Sequence, residues 1–170
     1  MRLAELNRTD RAAFVTVLGA VFEHAPWVAD AAYEARPFAS RAALHDAMMA
    51  AVARAPEAQR VDFLDRHPEL GSRADVVRDL TPASRDEQLS AGLTRLSPDE
   101  AEWFRARNRA YREKFGFPFI VAVRRLTKAG IMAAFERRLA GARDAELAEA
   151  FREIGWITRL RLDGLIEDGD

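Results

Sequence analysis

Ser97-Pro98-Asp99-Glu100-Ala101-Glu102-Trp103-Phe104, running on to Lys114-Phe115-Gly116, decides the fold class of this 170-residue chain. A serine cap, a proline at the first helical position and a glutamate at the third mark a helix start, and a glycine just past the last apolar residue marks its end. The spacing predicts one long helix with Ala101, Phe104, Asn108, Tyr111 and Phe115 on a shared face. The same period recurs upstream. Phe14, Val17, Leu18 and Val21 follow the i, i+3, i+4, i+7 rule after a Thr9 cap, Pro26 and Pro37 bracket a shorter element holding Trp27 and Tyr33, and Ser40 caps a helix carrying Leu44, Ala47, Met48 and Ala51. Pro56 closes that helix, and a further short one holding Val61 and Leu64 must end near His67, because the ring of Pro68 disfavours helical geometry in the residue before it.

Downstream of Gly116 the run Phe117-Pro118-Phe119-Ile120-Val121-Ala122-Val123 is apolar and broken by proline. It reads as an extended, buried segment between helices, with an isolated strand as the alternative. Thr127 and Asp144 are the expected caps of the last two helices, with Gly141 between them, and the tail Glu167-Asp168-Gly169-Asp170 is expected to be a frayed, solvated end. The expectation is therefore an all-α protein forming a single compact multi-helix domain over residues 1–170, with one buried extended segment near Phe117–Val123.

Composition narrows the chemistry. Cysteine is absent, which excludes disulfides, zinc-thiolate sites and thiol nucleophiles. Lysine plus arginine (26) nearly balances aspartate plus glutamate (27), so the molecule as a whole offers no positive field for nucleic acid. His24, His45 and His67 lack close metal-ligand spacing, and no window approaches the roughly 20 apolar residues of a membrane span or the apolar core of a secretory signal. A soluble, cytoplasmic protein with a small-molecule partner, no metal, no nucleic acid and no membrane is the expectation.

Three short stretches carry the candidate chemistry: His67-Pro68-Glu69-Leu70, then Ser84-Arg85-Asp86-Glu87-Gln88 leading to Ala91-Gly92-Leu93, then Lys114-Phe115-Gly116-Phe117-Pro118-Phe119-Ile120. Each has an ordinary explanation when taken singly. A histidine at a helix exit can be a satisfied core imidazole, Ser84-x-x-Glu87 has the form of a capping box, and Phe117-Pro118-Phe119 can be simple core packing. The last helix adds an anomaly. Leu147, Phe151, Ile154, Ile157 and Leu165 cluster on one side of a helical wheel with Arg161 in their midst, so its guanidinium either forms a buried ion pair, snorkels, or reaches a polar cavity.

Taken together, these residues resemble the OHCU decarboxylase family, whose substrate is 2-oxo-4-hydroxy-4-carboxy-5-ureidoimidazoline. The resemblance spans nearly the whole chain and includes Glu23-His24-Ala25-Pro26-Trp27, Arg36-Pro37-Phe38, His67-Pro68-Glu69-Leu70-Gly71, Leu80-Thr81, Ser84, Glu87-Gln88 and Arg161. Ser72-Arg73-Ala74-Asp75 departs from the glycine- or lysine-containing versions of that loop. The resemblance implies cofactor-free decarboxylation to (S)-allantoin in urate breakdown, with His67, Glu87 and Arg161 as catalytic residues. It further implies that Pro68, Ser84, Arg85, Asp86, Glu87, Gln88, Phe117, Phe119, Ile120, Val121, Ala122, Val123 and Arg161 contact the substrate, and that the protein is a homodimer. In that scheme Arg161 holds the substrate carboxylate and His67 exchanges the proton, its ordinary pKa near 6.5 lying close to working pH. Glu87 takes a hydrogen bond from the substrate and helps orient His67, Gln88 and the backbone around Ser84 and Phe119–Val123 meet its polar groups, and Pro68, Phe117 and Phe119 are dry walls. A helical module that binds a protein partner without catalysis is the alternative, and the arginine-rich faces of the late helices read as solvated surface rather than a DNA-binding element.

Overall fold

The computed structural model describes residues 1–71 and 80–168, and the departing stretch Ser72-Arg73-Ala74-Asp75 lies outside these. The architecture is all-α. The described helices are α1 (Leu3–Leu6), α2 (Arg11–Leu18), α3 (Pro26–Ala32), α4 (Arg41–Arg54), α5 (Glu57–Asp65), α6 (Pro82–Ser90), α7 (Pro98–Phe115), α8 (Lys128–Leu139) and α9 (Arg143–Leu165). Among the described residues the only β-type pairing is an isolated parallel bridge between Arg2 and Glu167.

Two compact units divide the chain: Met1–Arg66 with Gly155–Asp170, and His67–Ile154. In the first, Phe14, Leu18, Phe22, Leu44, Met48, Phe63 and Leu64 are buried, with Phe14 edge-on to Tyr33 at 5.5 Å and Phe22 tilted against Phe63 at 6.2 Å. Ser40 caps α4 as expected, its hydroxyl accepting from the Ala43 amide at 3.1 Å. Thr9 does not cap α2. Asp10 does so, taking the Ala13 amide at 2.8 Å, because a carboxylate next to the helix start outcompetes a hydroxyl that instead donates to the Leu6 carbonyl at 2.8 Å. Glu167 and Asp168 are not frayed either. The Glu167 backbone pairs with Met1 and Leu3, and the Asp168 carboxylate accepts from the Arg41 amide at 2.6 Å.

The second unit contains the long helix in the form its sequence predicts. Ser97 and Glu100 close the reciprocal capping box, and Gly116 ends α7 in the left-handed region at φ 81°. Phe104, Asn108, Tyr111 and Phe115 are buried along its inner face. Tyr111 is the hub of that face, meeting Phe115, Phe117, Phe119 and Phe135 at centroid distances from 4.5 to 6.1 Å. Thr127 caps α8 through the Gly130 amide, whereas α9 begins at Arg143, which puts Asp144 in its first turn rather than at the cap.

The buried line of α9 also differs from the expected one. Glu146, Ala150, Ile154, Thr158 and Leu162 are buried, at regular intervals of four, while Leu147, Phe151 and Ile157 are half-buried flanks and Leu165 is exposed. A wheel weighted by hydrophobicity favours large residues, but the buried line also contains a small residue, Ala150, and two polar ones with partners, Glu146 and Thr158.

One such partner is a histidine. His45 of α4 and Thr158 of α9, both in the first unit, meet at 2.9 Å between Nε2 and Oγ1. Burial lowers the pKa of His45 from its ordinary value of 6.5, opposed by Asp46 and Asp163 and reinforced by Arg159. The unfolded chain therefore binds the proton more readily than the fold, so this contribution to stability is full above pH 6.5 and declines as pH falls through the lowered value. Chemical denaturation between pH 7.5 and 5 should show His45→Gln losing less stability on acidification than the native protein, and equal slopes would exclude His45 as a source of acid lability.

Candidate active site

His67 lies just beyond α5, which ends at Asp65 with Arg66 as its C-cap, and the imidazole-bearing residue is half-buried. The loop it begins is gripped from two helices of the same unit. Gln88 of α6 accepts from the Gly71 amide at 3.2 Å through Oε1 and donates to the Glu69 carbonyl at 3.4 Å through Nε2. Asn108 of α7 donates to the Leu70 carbonyl at 2.8 Å, and Arg112 pairs with Glu69 at 3.0 Å. Gly71 sits at φ 65°, and a Cβ there would come within 2.9 Å of Leu96 Cδ1 and Phe104 Cγ, so only glycine closes this turn. Gln88, expected to meet the substrate, has both ends of its amide engaged on the loop backbone; its role in the fold is to hold the loop that carries His67.

The capping box expected at Ser84 and Glu87 does not form. Helix α6 starts earlier, with Thr81 as its cap and Pro82 at its first position, and the Thr81 hydroxyl accepts from the Ser84 amide at 3.3 Å. Thr81-Pro82 is the stronger start signal, since proline fixes φ for the first turn and lacks the amide that would go unpaired there. Ser84, Glu87 and Gln88 thus lie within the helix on one buried face, while Arg85 and Asp86 are exposed on the other. This helix packs against the short 3-10 turn Val123–Arg125 at the end of the third motif.

Phe117, Pro118, Phe119, Ile120, Val121, Ala122 and Val123 are all buried, and the chain from Phe117 to Ala122 is neither helix nor strand, as the extended reading requires. Phe119 stacks on Phe135 at 3.7 Å. The Arg138 guanidinium, 4% exposed, lies 4.6 Å from the Phe119 ring centre and donates to the Ile120 carbonyl at 2.7 Å through Nη1 and to the Glu146 carboxylate at 2.9 Å through Nε. Tyr111 donates to the same carboxylate at 2.5 Å, and burial together with the Glu146 charge pushes its phenol well above the ordinary tyrosine range. On the Ala122 side, the amide donates to Glu153 Oε2 at 2.8 Å. Val121, between these anchors and 5% exposed, meets no hydrogen-bond partner for its amide or carbonyl among the described residues.

Arg161 belongs to the first unit. Its guanidinium pairs with Glu23 at 2.9 Å and donates to the Val21 carbonyl at 3.2 Å, with the two side chains 9% and 1% exposed. The buried ion pair is thus one of the outcomes open from the wheel, and Glu23 is its missing partner. Nothing in helical periodicity pointed to Glu23, which lies outside any helix, next to His24 at a positive φ of 49°. Arg138 was legible. It continues the stripe Ile131, Ala134, Phe135 at intervals of three and four, and it is buried rather than solvated as the late arginines were expected to be.

A profile described as OHCU decarboxylase matches residues 7–163 of this chain. The sequence is 41% identical over 162 residues to 2-oxo-4-hydroxy-4-carboxy-5-ureidoimidazoline decarboxylase of Haloferax volcanii, covering 95% of this chain and 94% of that protein. It is 35% identical to the uric acid degradation bifunctional protein of Bacillus sp. strain TB-90, covering all of this chain and 33% of that protein. Among solved structures, an (S)-allantoin synthase superposes with a TM-score of 0.79 at 27% identity, over 98% of this chain and 54% of that one. The chain belongs to the OHCU decarboxylase family.

Within this family member the His67 loop, the inner face of α6 and the Phe117–Val123 segment occur in one unit, supported by the Arg138–Glu146–Tyr111 network. The network is costly to break, because removing one member of a buried ion pair leaves the other desolvated and alone. Glu146→Ala should lower unfolding free energy by about 3–5 kcal/mol in urea titrations. A loss below about 1 kcal/mol, the range of exposed pairs, would mean that solvent reaches Arg138.

Proposed function

We propose that this protein decarboxylates OHCU to (S)-allantoin and carbon dioxide in urate catabolism. The observation that carries the reading is 41% identity over 94% of the length of a curated OHCU decarboxylase. The substrate explains why such an enzyme works without metal or organic cofactor. Its carboxylated carbon bears a hydroxyl and adjoins a carbon–nitrogen double bond, so the electron pair left by carbon dioxide flows into that bond and an enol forms. Ketonisation then moves the hydroxyl proton off oxygen and places a proton on the ureido-bearing carbon. One proton is taken up for each carbon dioxide released, and delivery from one face sets the stereocentre.

In this proposal His67 exchanges the proton, Arg161 holds the carboxylate and turns the breaking bond out of the ring plane, and Glu87 accepts a hydrogen bond from the substrate and orients the imidazole. Pro68, Phe117 and Phe119 exclude water, the buried face of α6 that carries Ser84, Glu87 and Gln88 borders the site, and the backbone of Phe119–Val123 meets the ring and ureido groups. The amide and carbonyl of the buried residue Val121 support this, since buried backbone groups seldom lack a partner. The half-buried position of His67 on a loop held at Glu69, Leu70 and Gly71 supports its assignment. Residues 1–170 acting as one domain, a homodimeric assembly and a cytoplasmic location complete the proposal. Among the described residues no helix is long and apolar enough to cross a membrane.

The test generates OHCU afresh from urate enzymatically, adds this protein, and follows allantoin by circular dichroism. His67→Ala should fold normally and lose about 100- to 10,000-fold in turnover. Racemic allantoin at the spontaneous rate from the native protein would overturn the function, and near-native turnover of the variant would overturn the role of His67.

Arg161 requires a paired design because it already neutralises Glu23. Arg161→Met should lower both activity and stability, whereas Glu23→Gln combined with Arg161→Met removes both charges and should recover much of the stability. Activity should stay low in the double variant. Its return alongside the melting temperature would make Arg161 a purely structural residue.

A further inference from the structure

The backbone of Phe119–Val123 is held by two charged side chains. Arg138 Nη1 donates to the Ile120 carbonyl at 2.7 Å, and Glu153 Oε2 accepts from the Ala122 amide at 2.8 Å. In a planar trans peptide unit the carbonyl and the amide point opposite ways, so the Ile120 carbonyl opposes the Val121 amide and the Ala122 amide opposes the Val121 carbonyl. Anchors on Ile120 and Ala122 therefore turn the Val121 amide and carbonyl the other way. Val121 is a buried residue, and its amide and carbonyl have no hydrogen-bond partner among the described residues.

Both anchors trace back to α9. Glu146 fixes Arg138, and Glu153 stands seven residues further along the same helix, about two turns and on the same side. A cation reaching a carbonyl and an anion reaching an amide make charge-assisted bonds, stronger than neutral ones. They set the rotation of the segment about its own axis, which packing of Ile120, Val121 and Ala122 alone would leave free to rock.

We propose that Arg138 and Glu153 are positioning residues that present the Val121 amide and carbonyl as a fixed donor–acceptor pair to the ureido or cyclic amide group of the substrate. This rests on the decarboxylase reading. A ureido group carries a donor N–H beside an acceptor C=O, the complement of what one extended residue offers. Neither side chain touches the substrate; both act through the backbone between them. Their contribution is to ground-state and transition-state binding alike, so it falls on KM more than on kcat.

Glu153 is the residue to vary, since Arg138 also supports the buried network. Glu153→Leu removes the acceptor and should raise KM about tenfold or more, a misplacement effect, while kcat stays within about threefold. The same variant should weaken (S)-allantoin binding, measured by calorimetry, by a similar factor. Glu153→Gln keeps an acceptor oxygen for the Ala122 amide and should restore both to within about threefold of the native values. If Glu153→Leu does not fold, Glu153→Asp, one methylene too short to reach Ala122, should raise KM in the same way. Unchanged KM and allantoin affinity in Glu153→Leu or Glu153→Asp would overturn the proposal, as would a Gln variant as impaired as the Leu variant. A native protein without decarboxylase activity would instead overturn the reading beneath it.

Discussion

A guanidinium taken out of water must be given carboxylate and carbonyl oxygens in return, and Arg138 receives one of each: the Glu146 carboxylate and the Ile120 carbonyl. That requirement ties three separate parts of the chain together. Arg138 ends α8, Glu146 begins α9, and Ile120 lies in the extended segment between α7 and α8. Tyr111 of α7 adds its hydroxyl to the same carboxylate and its ring to the aromatic cluster, so polar and apolar packing converge on one point. An apolar core of Phe104, Phe115, Phe117, Phe119 and Phe135 would hold its helices together but slide easily. The directional bonds at Arg138 remove that freedom.

Helix α7 was legible in full because all its signals lie within a few residues and agree: Ser97, Pro98, Glu100 and Gly116 each do locally what the helix needs. Caps with a rival nearby were misread. Asp10 displaced Thr9, and Thr81-Pro82 displaced Ser84, because the choice between adjacent caps depends on which side chain is left free by its neighbours. The buried line of α9 runs through Ala150 and Thr158 rather than through its large residues alone, and Glu146 is buried because Arg138 and Tyr111 await it. Of the site, the three motifs were visible as motifs, but what holds them was not. The grip of Gln88 on Glu69 and Gly71 crosses 17 to 19 residues, and the pairing of Arg161 with Glu23 crosses 138. Local periodicity carries no record of such partners.

Each compact unit contains a buried arginine–glutamate pair, and the two differ in kind. Arg138 and Glu146 share their charges with Tyr111 and a backbone carbonyl, and both belong to helices whose packing they define. Glu23 instead lies between helices, beside a residue in a strained left-handed conformation. Either partner without the other would be a desolvated, uncompensated charge. Pairing with Glu23 also fixes the direction in which the Arg161 fork of donors points.

Decarboxylation of a substrate such as OHCU places its burden on geometry. The substrate supplies its own electron sink, so the protein gains little from added reactivity and much from holding the departing carboxylate perpendicular to the ring while admitting a proton to one face only. Such control needs a rigid frame on every side of a small polar ring, yet rigid frames made of backbone are rare outside helices and strands. The segment from Phe117 to Ala122 is neither, and its stiffness is supplied from behind, by Pro118 in the chain, stacked aromatic rings beneath, and opposite charges at its backbone. The His67 loop follows the same principle, its backbone held by the neutral amides of Gln88 and Asn108 and its Glu69 side chain by Arg112. In both, side chains from neighbouring helices fix the course of backbone that has no regular hydrogen-bond ladder of its own.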